Sequence, residues 1–291
     1  MPSALKHTLR HAVLAISALL ALFVVAQRDR ARGPPRHPHR HHRVRRRDQG
    51  VRRRRGQGGR PWRSCGYSLV CCGLDEDGGE AVLSGAGNAG ARAMFRAFDL
   101  RDLAAARQFA NDAMGPGGLT AIVNGAGARL RHGVAGARIE DIHACFALNF
   151  YPAWALSQET RPSLAASGRG IVVNITSVHA GATTPLRSPY KVSKAALGAL
   201  TTSISVEWAS DDIRGVSIAP ALVHTRLMEA YYAPIDDPTA ERERLEAQHP
   251  VGHAGCRQDI ASLVTYLIGP ANPFINGTII TVDGGIGARL G

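Results

Sequence analysis

The 291-residue sequence has few aromatic residues, no cysteines in ligand spacing and almost no acidic side chains near its start. Aromatic residues make up 5% of the chain, and Trp62 is the only one between residues 28 and 63. Without aromatics on which bases can stack, this stretch is not predicted to recognise nucleic acid specifically. The five cysteines show neither metal-ligand spacing nor a disulfide framework, which favours reduced thiols and a cytoplasmic protein with no metal site.

The shortage of acidic residues divides the chain into parts. Residues 1–63 contain 17 basic and two acidic residues, which is a net charge of +15. The net charge of the whole chain is +12. The rest therefore carries 18 basic and 21 acidic residues, a net −3. Residues 28–66 form an Arg/His/Gly/Pro-rich segment without apolar periodicity, which is typical of disorder or of an out-of-frame stretch. Residues 67–291 are long enough for one α/β domain.

Long apolar runs are also absent. The longest, residues 12–26 within a leader of residues 1–27, falls short of the roughly 20 residues that span a bilayer. Its length suits the apolar region of a signal peptide, and membrane association remains an alternative. If the run inserted, the denser arginines after it would keep the body on the cytoplasmic side.

Tyr190 and Lys194 stand four residues apart at the start of a predicted helix, and Ser177 ends the short apolar run Gly170-Ile-Val-Val-Asn-Ile-Thr-Ser177. Residues at i and i+4 share one helix face, where an ammonium lowers the pKa of a neighbouring phenol. The apolar run predicts a buried parallel strand, and ligands bind beyond the carboxyl ends of such strands. This pattern permits proton transfer to a carbonyl oxygen. A bare Tyr–Lys pair at this spacing also occurs by chance on helices.

The sequence from about Tyr67 to Gly291 resembles the short-chain dehydrogenase/reductase family, and most closely its 3-oxoacyl-[acyl-carrier-protein] reductases. Asn-Ile-Thr-Ser177 and Tyr190-x-x-x-Lys194 resemble the catalytic motifs, and Phe146-Ala-Leu-Asn149 resembles the segment with the fourth catalytic residue. The resemblance implies that Tyr190 protonates the carbonyl and that Lys194 lowers its pKa and binds the nicotinamide ribose. Ser177 would orient the substrate, and Asn149 would support a proton relay. The implied reaction interconverts a carbonyl and an alcohol, such as a 3-oxoacyl thioester.

The same resemblance implies residues that bind NAD or NADP. Ile122-Val-Asn-Gly-Ala-Gly127 resembles a strand end at the cofactor, with Gly125 in place of an Asn, and Pro220-Ala-Leu-Val-His-Thr225 resembles the segment at the carboxamide. The implied set consists of Tyr190 and Lys194 with Asp99, Asn124, Ala126, Gly127, Pro220, Val223 and Thr225. The residues after the second predicted strand leave the choice between NAD and NADP open.

The family's Thr-Gly-x-x-x-Gly-x-Gly turn is missing where it is expected, at about residues 40–66. The turn lets the backbone approach the pyrophosphate. Gly85-Ala-Gly-Asn-Ala-Gly90 has similar spacing, but it follows the second predicted strand, and we do not assign it that function. A pseudoenzyme lacking the pyrophosphate loop is therefore the alternative to an active enzyme.

The predicted fold is a Rossmann-like doubly wound parallel sheet with helices on both faces, whose first β-α unit is missing or degenerate. Strands are predicted at 67–72, 92–98, 119–124, 170–176, 215–219 and 277–282, and helices at 102–114, 139–167, 190–209 and 257–268. The family resemblance implies a homodimer or homotetramer and a substrate lid at Leu227–Val251. For His179 and Arg187, substrate contact and a surface role both remain open.

Overall fold

The computed structural model describes residues 23–28, 67–88, 92–114, 118–269 and 272–289. They form one seven-stranded sheet, flanked by helices, with the strand order β3-β2-β1-β4-β5-β6-β7. The strands are β1 (Phe23–Arg28), β2 (Tyr67–Gly73), β3 (Ala93–Ala97), β4 (Ala121–Asn124), β5 (Gly170–Ile175), β6 (Ile213–Pro220) and β7 (Ile279–Val282). The helices are α1 (Glu76–Asn88), α2 (Leu103–Ala113), α3 (Ile139–Asn149), α4 (Tyr151–Ala166), α5 (Ser188–Glu207), α6 (Arg226–Tyr232), α7 (Pro238–Glu246) and α8 (Arg257–Ile268).

Two apolar cores lie on opposite faces of this sheet. Successive strand residues point to opposite faces, so Val172 packs in the core under α2, α4 and α5, whereas Ile171 and Val173 pack in the core under α8. Strands buried on both faces read as continuous apolar runs. This arrangement confirms the predicted doubly wound α/β fold, including all six predicted strands.

Strand β1 was not predicted. It pairs antiparallel with both β2 and β4, with Val25 opposite Val70 on one side and Ile122 on the other. The sequence interpretation assigned these residues to the leader, because an apolar stretch without alternation does not distinguish a strand from a signal segment. The other neighbouring pairs of strands are all parallel. One central strand therefore runs against the other six.

The predicted helix 139–167 is two helices that meet at Asn149. Phe150 has φ −130° and ψ −53°, outside the helical range, and Pro152 lies in the first turn of α4. Proline has no N–H for the carbonyl of Leu148, and its ring clashes with that turn, so the first helix ends there. The Asn-Phe-Tyr-Pro segment contained this signal. The break leaves Asn149 at a helix end facing the carboxyl edge of the sheet.

Several predictions concern residues outside the described ranges: the apolar run up to residue 22, the basic segment 29–66 and the expected position of the cofactor turn. Among the described helices, none is both long enough and apolar enough to cross a membrane. Gly85 and Ala86 lie in the last turn of α1 and not in a turn between a strand and a helix. The Gly85–Gly90 segment therefore does not begin a helix, as a pyrophosphate-binding loop would.

Candidate active site

Tyr190 and Ser177 lie together at the carboxyl edge of the sheet. Ser177 follows β5 and begins a short 3-10 turn, where its Oγ accepts a hydrogen bond from the His179 N–H at 3.2 Å. Tyr190 lies in the first turn of α5, which Pro189 helps to start because its fixed φ suits that position. Their side chains are 6% and 8% exposed. A carbonyl oxygen that reaches Tyr190 is therefore largely shielded from water.

Burial raises the pKa of Tyr190 above its ordinary value. The hydrogen bond with Ser177 and the charges of Arg129 and Arg187 act in the opposite direction without cancelling it. The sequence interpretation assigned this lowering effect to Lys194, whereas in the structure it comes from Ser177 and the two arginines. Tyr190 is consequently a protonated phenol at neutral pH, able to donate a proton.

Lys194 is buried one helical turn beyond Tyr190. Its Nζ donates to the carbonyl oxygen of Ile175 at 2.8 Å, and burial lowers its pKa to about 8. A Cβ on Gly127 would lie only 3.1 Å from this Nζ and 3.3 Å from Asn149 Oδ1. Glycine at 127 therefore lets the lysine and the asparagine pack against the end of the loop after β4.

The Asn149 amide joins that loop to α5. Its Oδ1 accepts from the Ala128 N–H at 2.7 Å, and its Nδ2 donates to Ala128 O at 3.0 Å and to Ser193 Oγ at 2.8 Å. These bonds use both donors and one acceptor position of the amide. Asn149 thus holds the residues around Tyr190 and Lys194 in place.

Asn124 belongs to a buried polar chain beneath the site. Its Nδ2 donates to Asn174 Oδ1 at 2.7 Å, and Asn174 Nδ2 donates to Thr201 Oγ1 at 2.8 Å. The Thr201 hydroxyl also pairs with Ser217 Oγ at 2.6 Å. The chain links β4, β5, β6 and α5 through side chains. The Asn124 amide nitrogen is thus engaged beneath the site, on the face of the sheet that α4 and α5 cover.

The other residues predicted to bind cofactor line the same edge. Ala126 packs partly buried against the core beside Leu148. Val223 bridges to Gly255 immediately after β6 ends at Pro220, and Thr225 caps α6 without a side-chain hydrogen bond.

Asp99 follows β3 at this edge. Its carboxylate accepts hydrogen bonds from Arg101 Nε and Nη2 and from the Arg101 backbone N–H. These bonds lower the pKa of Asp99. The carboxylate is thus engaged within its own loop.

The two halves of this edge differ. Tyr190, Lys194 and the ends of β4, β5 and β6 meet at one half, and these residues would hold the nicotinamide half of a dinucleotide. At β1 the chain direction is reversed, so Phe23, opposite Asn124, begins the strand at this edge. Within the described residues, β1 therefore does not lead into a turn and helix at the pyrophosphate position.

Three arginines and one tyrosine beside Tyr190 were not singled out as a group in the sequence. Arg129 and Arg131 follow β4, Arg187 precedes α5, and all three guanidinium groups face the ring of Tyr231 in α6. The signal available in the sequence was the spacing of Arg129 and Arg131, two residues apart in the loop that follows β4. Tyr231 lies in the segment predicted as the substrate lid.

His179 stacks edge-on against Tyr190, with 6.0 Å between ring centres. Burial, followed by the charges of Arg187, Arg129 and Lys191, lowers the pKa of His179 to about 4. An unfolded chain with an ordinary histidine binds a proton between about pH 6.5 and pH 4, whereas the folded one does not. The free energy of unfolding should therefore fall as the pH falls through this window.

Because solvent partly screens this half-buried ring, we expect the histidine to account for about 1–2 kcal/mol of the stability lost between pH 7 and pH 4.5. Urea denaturation of the wild type and of His179→Asn at both pH values measures this contribution. His179→Asn lacks the titrating ring but keeps every carboxylate of the wild type. The difference between the two pH dependences therefore reports the contribution of His179. An identical pH dependence of the free energy of unfolding in both proteins would contradict a lowered pKa of His179.

The family model described as enoyl-(acyl carrier protein) reductase matches residues 60–287. The chain belongs to the short-chain dehydrogenase/reductase family. Its relatives within this family include a tropinone reductase homolog from Datura stramonium, 34% identical over 169 residues, or 58% of this chain and 63% of that one. The chain spans between 53% and 63% of the length of eight tropinone reductase homologs that it matches.

Solved structures of short-chain dehydrogenases share the fold. A gluconate 5-dehydrogenase from Burkholderia cenocepacia J2315 in complex with NADP and tartrate is 25% identical, with a TM-score of 0.70, covering 79% of this chain and 89% of that one. A 7α-hydroxysteroid dehydrogenase complexed with NADH and 7-oxo glycochenodeoxycholic acid is 27% identical, with a TM-score of 0.70 and coverage of 77% and 86%.

Proposed function

We propose that this chain is an NAD(P)-dependent oxidoreductase that interconverts a carbonyl and an alcohol, with a 3-oxoacyl thioester or a similar carbonyl as substrate. The observation that carries the proposal is the buried Tyr190 phenol, hydrogen-bonded to Ser177 and followed one turn later by the buried Lys194. Family membership and the solved relatives bound to NADP or NADH support the choice of cofactor.

In this mechanism, the Tyr190 hydroxyl donates its proton to the substrate oxygen, and Ser177 Oγ hydrogen-bonds the same oxygen. A bound dinucleotide supplies the hydride for the carbonyl carbon. Lys194, whose Nζ donates to Ile175 O, would bind a ribose hydroxyl of the dinucleotide, as the family resemblance implies. Asn149 keeps the loop after β4 against Lys194. Protonation by a positioned group typically contributes roughly 10²- to 10⁴-fold to the rate.

The direction of β1 favours a second candidate, a non-catalytic family member that keeps the tetrad but binds dinucleotide weakly. Each charge-assisted hydrogen bond to a phosphate contributes roughly 1.5–3 kcal/mol. Losing two or three of them would move a micromolar dissociation constant into the millimolar range or beyond.

Fluorescence titration with NADPH and NADH, followed by a turnover assay with acetoacetyl-CoA and simple ketones, separates the two candidates. Saturable micromolar binding of either nucleotide with turnover supports the oxidoreductase and identifies the preferred cofactor. Absence of binding up to millimolar nucleotide, in protein with a cooperative melting transition, would leave the non-catalytic function.

We also propose a homodimer or homotetramer, as the family resemblance implies, which light scattering of the same preparation measures. A cytoplasmic location, with a membrane-anchored form as the alternative, likewise remains a proposal. Fractionation of cells expressing the full chain distinguishes the two.

A further inference from the structure

Three guanidinium groups converge on one aromatic ring beside the proposed proton donor. The guanidinium carbons of Arg129, Arg131 and Arg187 lie 5.5, 5.8 and 6.0 Å from the centre of the Tyr231 ring. The arginines come from two loops that end at the carboxyl edge of the sheet, and the ring comes from α6. Two separate loops thus bring three positive charges to the Tyr231 ring.

Within the described ranges, none of these three arginines forms an ion pair with a carboxylate. Arg129 Nη2 donates to the thioether sulfur of Met228 at 3.4 Å, and sulfur is a weak acceptor. By contrast, Arg161 and Arg244 each bond a carboxylate at 2.6–2.7 Å. The cluster therefore has donors that its own surroundings do not satisfy.

An acid beside the cluster, Glu241, is already engaged. Glu241 Oε1 accepts from the Tyr231 hydroxyl at 2.8 Å, and both of its oxygens accept from Arg244. Arg131 contributes only a smaller part of the lowering that brings the pKa of Glu241 to about 2. In the part of the chain that the structure describes, the three guanidinium groups share the face of the Tyr231 ring, which neutralises them weakly.

The cluster faces the reacting group. Arg187 lies three residues before Tyr190, and the Ser188 N–H donates to His132 O at 3.1 Å, which holds the loop after β4 against the start of α5. In agreement with this geometry, Arg129 and Arg187 both lower the pKa of Tyr190. Arg129 is partly buried, and burial together with the neighbouring arginines lowers the pKa values of both Arg129 and Arg187, the latter to about 10. Water and neighbouring side chains thus compensate this charge incompletely, and an anion would relieve the repulsion.

We propose that the substrate is a small oxo acid, or the corresponding hydroxy acid, whose carboxylate is bound by Arg129 and Arg187, with Arg131 at the rim. The planar guanidinium fork matches a carboxylate bidentately. Because the cluster is close to Tyr190, the carboxylate and the carbonyl are separated by only a few bonds. The phosphate of an acyl-carrier thioester lies a whole pantetheine arm away from its carbonyl and does not fit this arrangement.

This assignment rests on the proposed function. In reduction, the carbonyl carbon gains a hydride and the carbonyl oxygen gains the Tyr190 proton, which gives the hydroxy acid. The reduced nicotinamide dinucleotide proposed above is the reductant and leaves in its oxidised form. The carboxylate is unchanged by the reaction, so its contribution is binding and orientation.

The test compares 2-oxobutanoate and 3-oxobutanoate with their methyl esters in wild type, Arg129→Met and Arg187→Met. Arg92→Met is the matched control, since Arg92 is exposed before β3, at the opposite edge of the sheet. We expect the wild type and the control to prefer acid over ester, and each site variant to lower that ratio roughly 10- to 100-fold, mainly through KM. Equal use of acids and esters, or turnover of acetoacetyl-CoA alone, would overturn the oxo-acid assignment and leave the oxidoreductase standing.

A second measurement keeps the anion site testable if no compound is turned over. Thermal shifts with 3-oxobutanoate, without nucleotide and at constant ionic strength, report carboxylate binding directly. Stabilisation of the wild type and Arg92→Met that is lost in Arg129→Met supports the carboxylate site although the oxidoreductase has failed. Equal shifts in all variants, or no shift in the wild type, would refute it.

Discussion

Tyr190→Phe is expected to lower kcat by roughly 10²- to 10⁴-fold while the protein stays folded. The change removes one hydroxyl from a buried ring whose neighbours, Ser177 and His179, remain in place. Without this proton the alkoxide that forms must be neutralised by water, from which the site is largely closed. Steady-state reduction by NADPH or NADH, whichever nucleotide binds, measures the effect.

Tyr266→Phe is the matched control, because that tyrosine is 53% exposed on α8. It should keep full activity. Tyr190→Phe should also bind nucleotide with little change, which separates lost proton transfer from lost cofactor affinity. Activity within a few-fold of the wild type in Tyr190→Phe would exclude this phenol as the general acid. The functions proposed for Ser177 and Lys194 in the same reaction would then also be contradicted.

Phe109→Ala should cost about 3–5 kcal/mol in the free energy of unfolding. Phe109 is fully buried in the core between the sheet and α2, α4 and α5, with its ring centre 5.5 Å from that of Phe98. Truncation loses the transfer free energy of the ring and leaves a cavity that surrounding helices fill only partly. Urea denaturation followed by circular dichroism measures the change.

Phe274→Ala is the control for this core substitution, since the Phe274 side chain is fully exposed. Surface changes of this kind usually alter stability by less than about 0.5 kcal/mol. If Phe109→Ala unfolded at the same urea concentration as Phe274→Ala, the packing around α2 would be looser than the structure describes.

The central strands β4, β5 and β6 could be predicted because they are buried on both faces and therefore read as short apolar runs between Gly and Pro signals. The edge strands β3 and β7 are more exposed, and they were predicted from their place in the alternation of strands and helices. The meeting of Ser177 and Tyr190 could be predicted, because the end of a buried parallel strand and the start of the next helix lie at the same edge of the sheet. The catalytic roles of these two residues, and those of Lys194 and Asn149, come from the family resemblance and stay predictions. The break at Asn149 was readable from Pro152 but was overlooked, since apolar residues continue through it.

Two features could not be derived in this way. The pairing of β1 depends on a gap between β2 and β4, and such a gap exists only once the other strands are in place. Similarly, the convergence of Arg129, Arg187 and Tyr231 joins positions up to about a hundred residues apart, as the Arg129–Met228 contact also does. Local patterns carry no information about such distances, so the sequence left both substrate contact and a surface role open for Arg187 and gave no role to Arg129.

The reversed direction of β1 shortens the distance that its connection to β2 has to span. Arg28 lies opposite Tyr67, so the chain leaves β1 and enters β2 at the same edge of the sheet. A parallel pair would need a crossover of a dozen or more residues, whereas an antiparallel pair can be joined by two. The entropy of closing such a loop depends only logarithmically on its length, about 0.6 kcal/mol per doubling. The 38 residues from 29 to 66 are therefore under almost no length constraint from the sheet, and insertions or deletions there would leave the strand order intact.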